Sequence, residues 1–121
     1  MTHARIALGK TGEDLAVREL ERRGYTIVAR RWRSRHGEID VIARDGATLV
    51  FVEVKARDGE EFGDGAEAIT MAKQRRLVQL AVEYLARHGL IDSPCRFDVV
   101  AIRLNDRRSD VEVFQNAFDA D

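Results

Sequence analysis

The chain has 121 residues, 45% of them apolar and 34% charged, with one proline and one cysteine. That is enough for a single domain, 1–121, with a real core. It excludes an intrachain disulfide and a multi-cysteine zinc site, and no apolar run approaches the ~18 residues of a membrane span. Arg5 precedes no continuous apolar stretch, so no secretory leader is expected and the protein reads as cytoplasmic, with no membrane partner.

Net charge is −1, which alone names no polyanionic partner, but its distribution is uneven. Residues 1–36 carry nine Lys/Arg against four Asp/Glu, and residues 37–72 carry three against nine. Residues 73–91 are basic again. Basic segments flanking an acidic centre suit a metal-dependent site acting on a phosphate backbone, although ordinary surface charge gives the same totals.

Residues from about Ala4 to Arg23 read as a helix, with Leu8, Leu15, Ala16 and Leu20 on one stripe and Gly24 as stop signal. Gly9 and Gly12 weaken its first part, so a break near Lys10–Gly12 is expected. Glu13 lies beside the stripe. It either turns toward the sheet or is an early acid favoured by the helix dipole. Tyr25–Trp32 reads as a strand that runs into the basic segment Arg30, Arg31, Trp32, Arg33 and Arg35. Arginines around one indole suit phosphate contact with base stacking; alternatively Trp32 anchors the core. His36 reads as a loop histidine.

Gly37–Lys55 reads as two strands joined by an Asp45-Gly46 turn. In the second, Leu49, Phe51, Glu53 and Lys55 share one face, and Val50, Val52, Val54 and Ala56 the other. A strand apolar on both sides belongs inside a sheet covered on both faces. Glu53 and Lys55 then stand at the end of a buried strand, where an unpaired charge costs several kcal/mol, on the order of the penalty per buried ion. Asp40, in the first strand, could meet Glu53 across the ladder. Two carboxylates are hard oxygen ligands for Mg²⁺ or Mn²⁺ rather than zinc, and the Val54 carbonyl is a ready additional ligand. Such an ion polarises a phosphodiester and acidifies water, while Lys55 could orient that water or offset charge on phosphorus. Without metal the two acids repel, so a raised carboxylate pKa is expected.

Arg57–Gly65, with three glycines and four acids, reads as a mobile loop, either a flap or an ordinary connection. Thr70 is a plausible N-cap for a helix ending at Gly89, with Leu77, Leu80, Ala81, Tyr84 and Leu85 as its apolar stripe. Lys73 and Gln74 extend that stripe backwards, either toward an anionic ligand or as solvent-facing helix formers. Cys95 reads as a buried structural thiol. Arg96–Leu104 reads as a buried strand, in which Asp98 is a structural aspartate or a remote site partner. A polar turn at Asp106–Asp110 and a short strand Val111–Phe114 close the chain. The order helix, three strands, helix, two strands predicts an α/β fold, a mixed central sheet flanked by helices.

Asp40 with Glu53-Val54-Lys55 resembles the PD-(D/E)XK nuclease superfamily, the restriction-endonuclease-like fold. Gly12-Glu13, Arg30–Arg33, Gly37-Glu38-Ile39-Asp40, Phe51–Arg57, Lys73-Gln74 and Arg96–Val100 together resemble the bacterial YraN family over roughly residues 9–102. That family is similar to archaeal Holliday-junction resolvases. The resemblance implies a site of Glu13, Asp40, Glu53, Lys55 and Gln74, and a Mg²⁺-dependent endonuclease, with DNA favoured over RNA as substrate and branched DNA among the candidates. A small domain cutting two strands would work as a homodimer. The alternative is a non-catalytic nucleic-acid-binding or adaptor protein that grips phosphates with Arg30, Arg31, Arg33 and Arg35.

Overall fold

The computed structural model describes residues 3–57, 69–104 and 109–120. Among them seven elements follow in chain order: α1 (His3–Arg22), β1 (Thr26–Ser34), β2 (Gly37–Asp45), β3 (Thr48–Arg57), α2 (Met71–Arg87), β4 (Cys95–Leu104) and β5 (Ser109–Phe118). Helix α1 runs unbroken through Gly9 and Gly12. The final strand is ten residues long rather than a short hairpin arm. The loop expected beyond Arg57, and most of the turn expected at 106–110, lie outside the described residues.

The strands form one sheet in the order β1-β2-β3-β4-β5. Only β3 and β4 pair in parallel, and parallel neighbours need a crossover, which contains α2. The result is an α/β domain with a mixed five-stranded sheet between two helices, as the element order predicts, consistent with the restriction-endonuclease-like fold that the resemblance implies.

Strand β3 is central because it is apolar on both sides. Leu49 and Phe51 pack with Ile42, Phe97 and the Leu77/Leu80/Tyr84 stripe of α2. Val50 and Val52 pack with Val41, Val100 and the Ala16/Val17/Leu20 face of α1. Two cores therefore lie back to back across one sheet, and burial of their side chains, roughly 1.5–3 kcal/mol for each large one, drives the fold.

In β2, Ile39 and Ile42 join the α2 core while Val41 and Ala43 join the α1 core. Residues 39 and 42 are three apart, so the alternation slips once between them, at Asp40. Across the ladder Arg31 is left-handed, with φ 52°. The β2–β3 ladder runs from Asp45↔Thr48 to Val41↔Val52. Beyond that last pair the two strands part, and the polar residues begin.

Cys95 is exposed, which corrects the buried thiol expected from sequence. It opens β4 outside the packed cluster that takes Phe97, where one side of the strand end meets water. Partial desolvation there raises its thiol pKa.

Candidate functional site

Where β2 and β3 part, Asp40 satisfies the freed backbone: the Val54 N–H donates to its Oδ2 at 2.8 Å. The Asp40 carboxyl also lies near that of Glu53, close enough for the two to act on each other's charge. Glu53 is buried, 8% exposed, at the end of the Leu49/Phe51 face. Burial, then the hydrogen bond and charge of Glu53, push the Asp40 pKa up to about 8, against the pull of the Val54 N–H and the Lys73 ammonium. So close a pair of acids is unfavourable when both are ionised. This is the environment a hard divalent cation relieves, and both donors are the oxygen ligands such a cation takes.

The pair opens onto two clefts, one on each side of the sheet. On the α2 side Glu53 lines a cleft with Lys55, Ile69, Thr70 and Lys73. The Lys73 Nζ stands 3.4 Å from Glu53 Oε2. Its position follows from the helix start: the Thr70 Oγ1 accepts from the Lys73 backbone N–H at 3.1 Å, which fixes the first turn of α2 against the end of β3. Lys55 is exposed at the mouth of the same cleft. Gln74 points elsewhere, donating its amide to the Ile69 carbonyl at 3.1 Å and lining a separate cleft with Met71 and Asp119.

On the α1 side Asp40 and Val54 share a cleft with Glu13, Glu38, Arg31 and Arg33. Gly12 brings α1 down onto the end of β3, where a side chain at that position would meet Ala56 at 3.5 Å, and Glu13 is delivered to the cleft as a buried acid, 7% exposed. Of its two expected orientations, Glu13 takes the one toward the sheet. Its carboxylate is occupied by arginines: Arg30 Nε donates to Oε1 at 3.0 Å and Arg31 Nε to Oε2 at 2.8 Å. Arg30 also donates to Asp14 at 2.6 Å, and Arg33 to Glu38 at 2.8 Å. Among the described residues no three acids, histidines or cysteines are gathered closely enough to hold a metal ion. Every carboxylate of this cleft already has a partner.

Trp32 is half-buried against the α2 core, edge-on to Tyr84 at 5.5 Å, with the Arg87 guanidinium over its ring. Arg35 is exposed in the β1–β2 turn. His36, beside it, reaches Glu83 of α2 at 3.3 Å. Sequence reasoning did not find the Lys73–Glu53 contact or the capture of Glu13 by two arginines. The second had a signal, since a run of arginines in an edge strand needs acids from a neighbouring element.

No helix among the described residues is long and apolar enough to cross a membrane. The family model of Uncharacterised protein family UPF0102 matches residues 12–102. A UPF0102 protein of Symbiobacterium thermophilum is 53% identical over 114 residues, 93% of this chain and 97% of the relative. One from Rhodococcus jostii is 57% identical over 99 residues, 82% of this chain and 84% of the relative. Among solved structures, Pyrococcus furiosus SfsA in complex with Ca²⁺ covers 92% of this chain and 63% of its own, at 14% identity and a TM-score of 0.42. A score that low carries no argument about this chain.

Proposed function

This chain belongs to the uncharacterised protein family UPF0102, the YraN family that its motifs resemble, and from the carboxyl pair at its sheet edge we propose that it is a metal-dependent endonuclease that hydrolyses phosphodiester bonds of DNA. The observation that carries the reading is the Asp40–Glu53 pair, two acids brought near each other where β2 and β3 part, with the ammonium of Lys73 beside Glu53. A structural ion pair needs one acid and one base. Two acids held together at the rim of two clefts cost stability, and that cost is the usual mark of a site built for a cation.

In this reading Asp40 and Glu53 hold Mg²⁺ or Mn²⁺, with the Val54 carbonyl and Glu13 completing the set. When bound, the ion supplies charge neutralisation at the phosphoryl oxygen and a more acidic water. The chain's own residues do the rest. Lys55, at the mouth of the Glu53 cleft, orients the attacking water and offsets charge as it builds on phosphorus. Lys73 adds a second cation on the same side and binds the incoming phosphate. Gln74 acts at one remove, bracing through Ile69 the turn that carries Thr70 and Lys73. Arg30, Arg31, Arg33 and Arg35 supply the phosphate-binding rim, and Trp32 fixes that strand to α2. Two copies acting together would cut both strands of a branched substrate.

The test is cleavage of labelled duplex, single-stranded and four-way-junction DNA by the wild type and by Asp40→Ala and Lys55→Ala. Removal of either side chain is expected to lower the rate at least ~100-fold, in the range of losing one transition-state stabiliser. Cleavage that survives both substitutions unchanged would belong to a contaminant. A second reading, a DNA-binding protein that does not cut, draws on the ion pairs that hold Glu13. It predicts DNA retention that falls with salt and is indifferent to EDTA.

A further inference from the structure

We propose that Glu13 is a latch on the nucleic-acid-binding edge: while its carboxylate holds Arg30 and Arg31, those guanidiniums are withheld from phosphate, and yielding the carboxylate to a divalent cation releases them to the DNA backbone. The inference rests on the proposed function and adds to it a coupling between cation and DNA.

The basic segment 30–35 has four arginines, and three of them are already neutralised. Arg30 pairs with Glu13 and Asp14, Arg31 with Glu13, and Arg33 with Glu38. A guanidinium closed on a carboxylate presents no net charge, so this edge attracts a polyanion far less than its sequence implies. The acid is the fixed partner: the Glu13 side chain is 10% exposed, whereas those of Arg30 and Arg31 are 39% and 46% exposed. The arginines are therefore the more exposed partners, and Arg31 lines the cleft itself. Arg31 bends to its acid through a left-handed backbone, φ 52°. Arg30 would keep Asp14, at 2.6 Å, after losing Glu13. Arg31 is thus the side chain that the latch governs most.

The same cleft carries Asp40 and Glu38 beside Glu13. A cation entering it competes with the arginines for the Glu13 oxygens. Each guanidinium given up becomes available for a phosphate, and each phosphate contact adds about 0.9 to the slope of log affinity against log salt. Simple screening by a divalent ion acts in the opposite direction, weakening binding, so the sign of the effect separates the two.

The experiment is fluorescence anisotropy of a labelled DNA duplex over a salt series, in EDTA and in Ca²⁺ at matched ionic strength. Ca²⁺ serves as a hard, oxygen-seeking probe. Wild type is expected to bind about tenfold tighter in Ca²⁺, with a salt slope steeper by about one. Glu13→Gln in EDTA should match wild type in Ca²⁺ and gain nothing further from the cation. Glu112→Gln, an exposed change of equal charge on β5, should behave as wild type. Arg31→Gln should lose the Ca²⁺-dependent steepening, and this arm decides the matter even if Glu13→Gln does not fold. A wild-type slope that is unchanged or shallower in Ca²⁺, or Glu13→Gln binding no tighter than wild type in EDTA, overturns the latch alone. If no form retains DNA under either condition, the latch and the proposed function fall together.

Discussion

Asp40 keeps its proton to about pH 8 in the folded chain, whereas an unfolded aspartate loses it near ~3.9. Between those values the folded state binds more protons than the unfolded one, so this group's contribution to stability falls as pH rises through the window. Asp40→Asn keeps an uncharged group in place. It is expected to be more stable than wild type at about pH 8.5, by on the order of 1–3 kcal/mol, and to lose that advantage near about pH 4. Urea denaturation in EDTA at the two pH values measures it, and an equal difference at both would contradict the raised Asp40 pKa. Asp98 is the opposite kind of buried acid. It is wholly enclosed, yet it accepts from the Tyr25 hydroxyl, from Arg96 Nε and from the backbone N–H of Asn116, each at 3.0 Å. Every partner is a donor, so the charge is compensated and its role is structural, the first of the two roles the sequence left open. Asp98→Ala removes the acceptor at the centre of this network, leaving Arg96 to Asp45 and the Tyr25 hydroxyl, and is expected to cost about 3–5 kcal/mol of unfolding free energy. A loss below ~1 kcal/mol in the same urea measurement would show the network to be dispensable.

Helix α2 is where local chemistry sets the site most directly. Thr70 caps it, and the capped turn carries Lys73 to Glu53. Thr70→Ala is expected to cost about 1 kcal/mol, read as a lower urea midpoint at unchanged slope. An unchanged midpoint would mean that packing alone holds the turn. This cap was legible in the sequence because a threonine directly before an amphipathic run is a local signal. Strand β3 was legible for a similar reason, since its two apolar faces leave only a central place in the sheet. The site itself was half legible. Glu53 and Lys55 follow from period-two alternation along a single strand. The meeting of Asp40 with Glu53 was expected across a regular ladder, but the structure achieves it through a slip at residue 40, which alternation cannot reveal. The hold of Arg30 and Arg31 on Glu13 joins residues 17 and 18 positions apart. It depends on how closely α1 approaches the sheet at Gly12, a fact of packing rather than of pattern. Cys95 shows the same limit: its apolar neighbours imply burial, and the exposed start of β4 denies it.

At the scale of the molecule, two cores back to back hold the sheet rigid and leave one corner polar. At that corner the acids belong to β2, β3 and α1, and the cations to β1, β3 and α2. The acidic centre and its basic flanks, read from the charge distribution along the chain, thus become one place in space. There the cations are largely closed onto the acids, so the folded surface is less basic than the sequence implies. In the proposed latch a divalent ion would exchange for those internal pairs, tying occupation of the centre to the charge shown outside. The central claim is that Asp40 and Glu53 form that centre, and calorimetric titration of Mn²⁺ into wild type, Asp40→Ala and Glu53→Gln tests it most directly. Saturable binding by wild type, weakened at least ~10-fold in each variant, is the result expected from loss of a direct ligand or its partner. Binding of equal strength in all three proteins, or none in wild type, would contradict it.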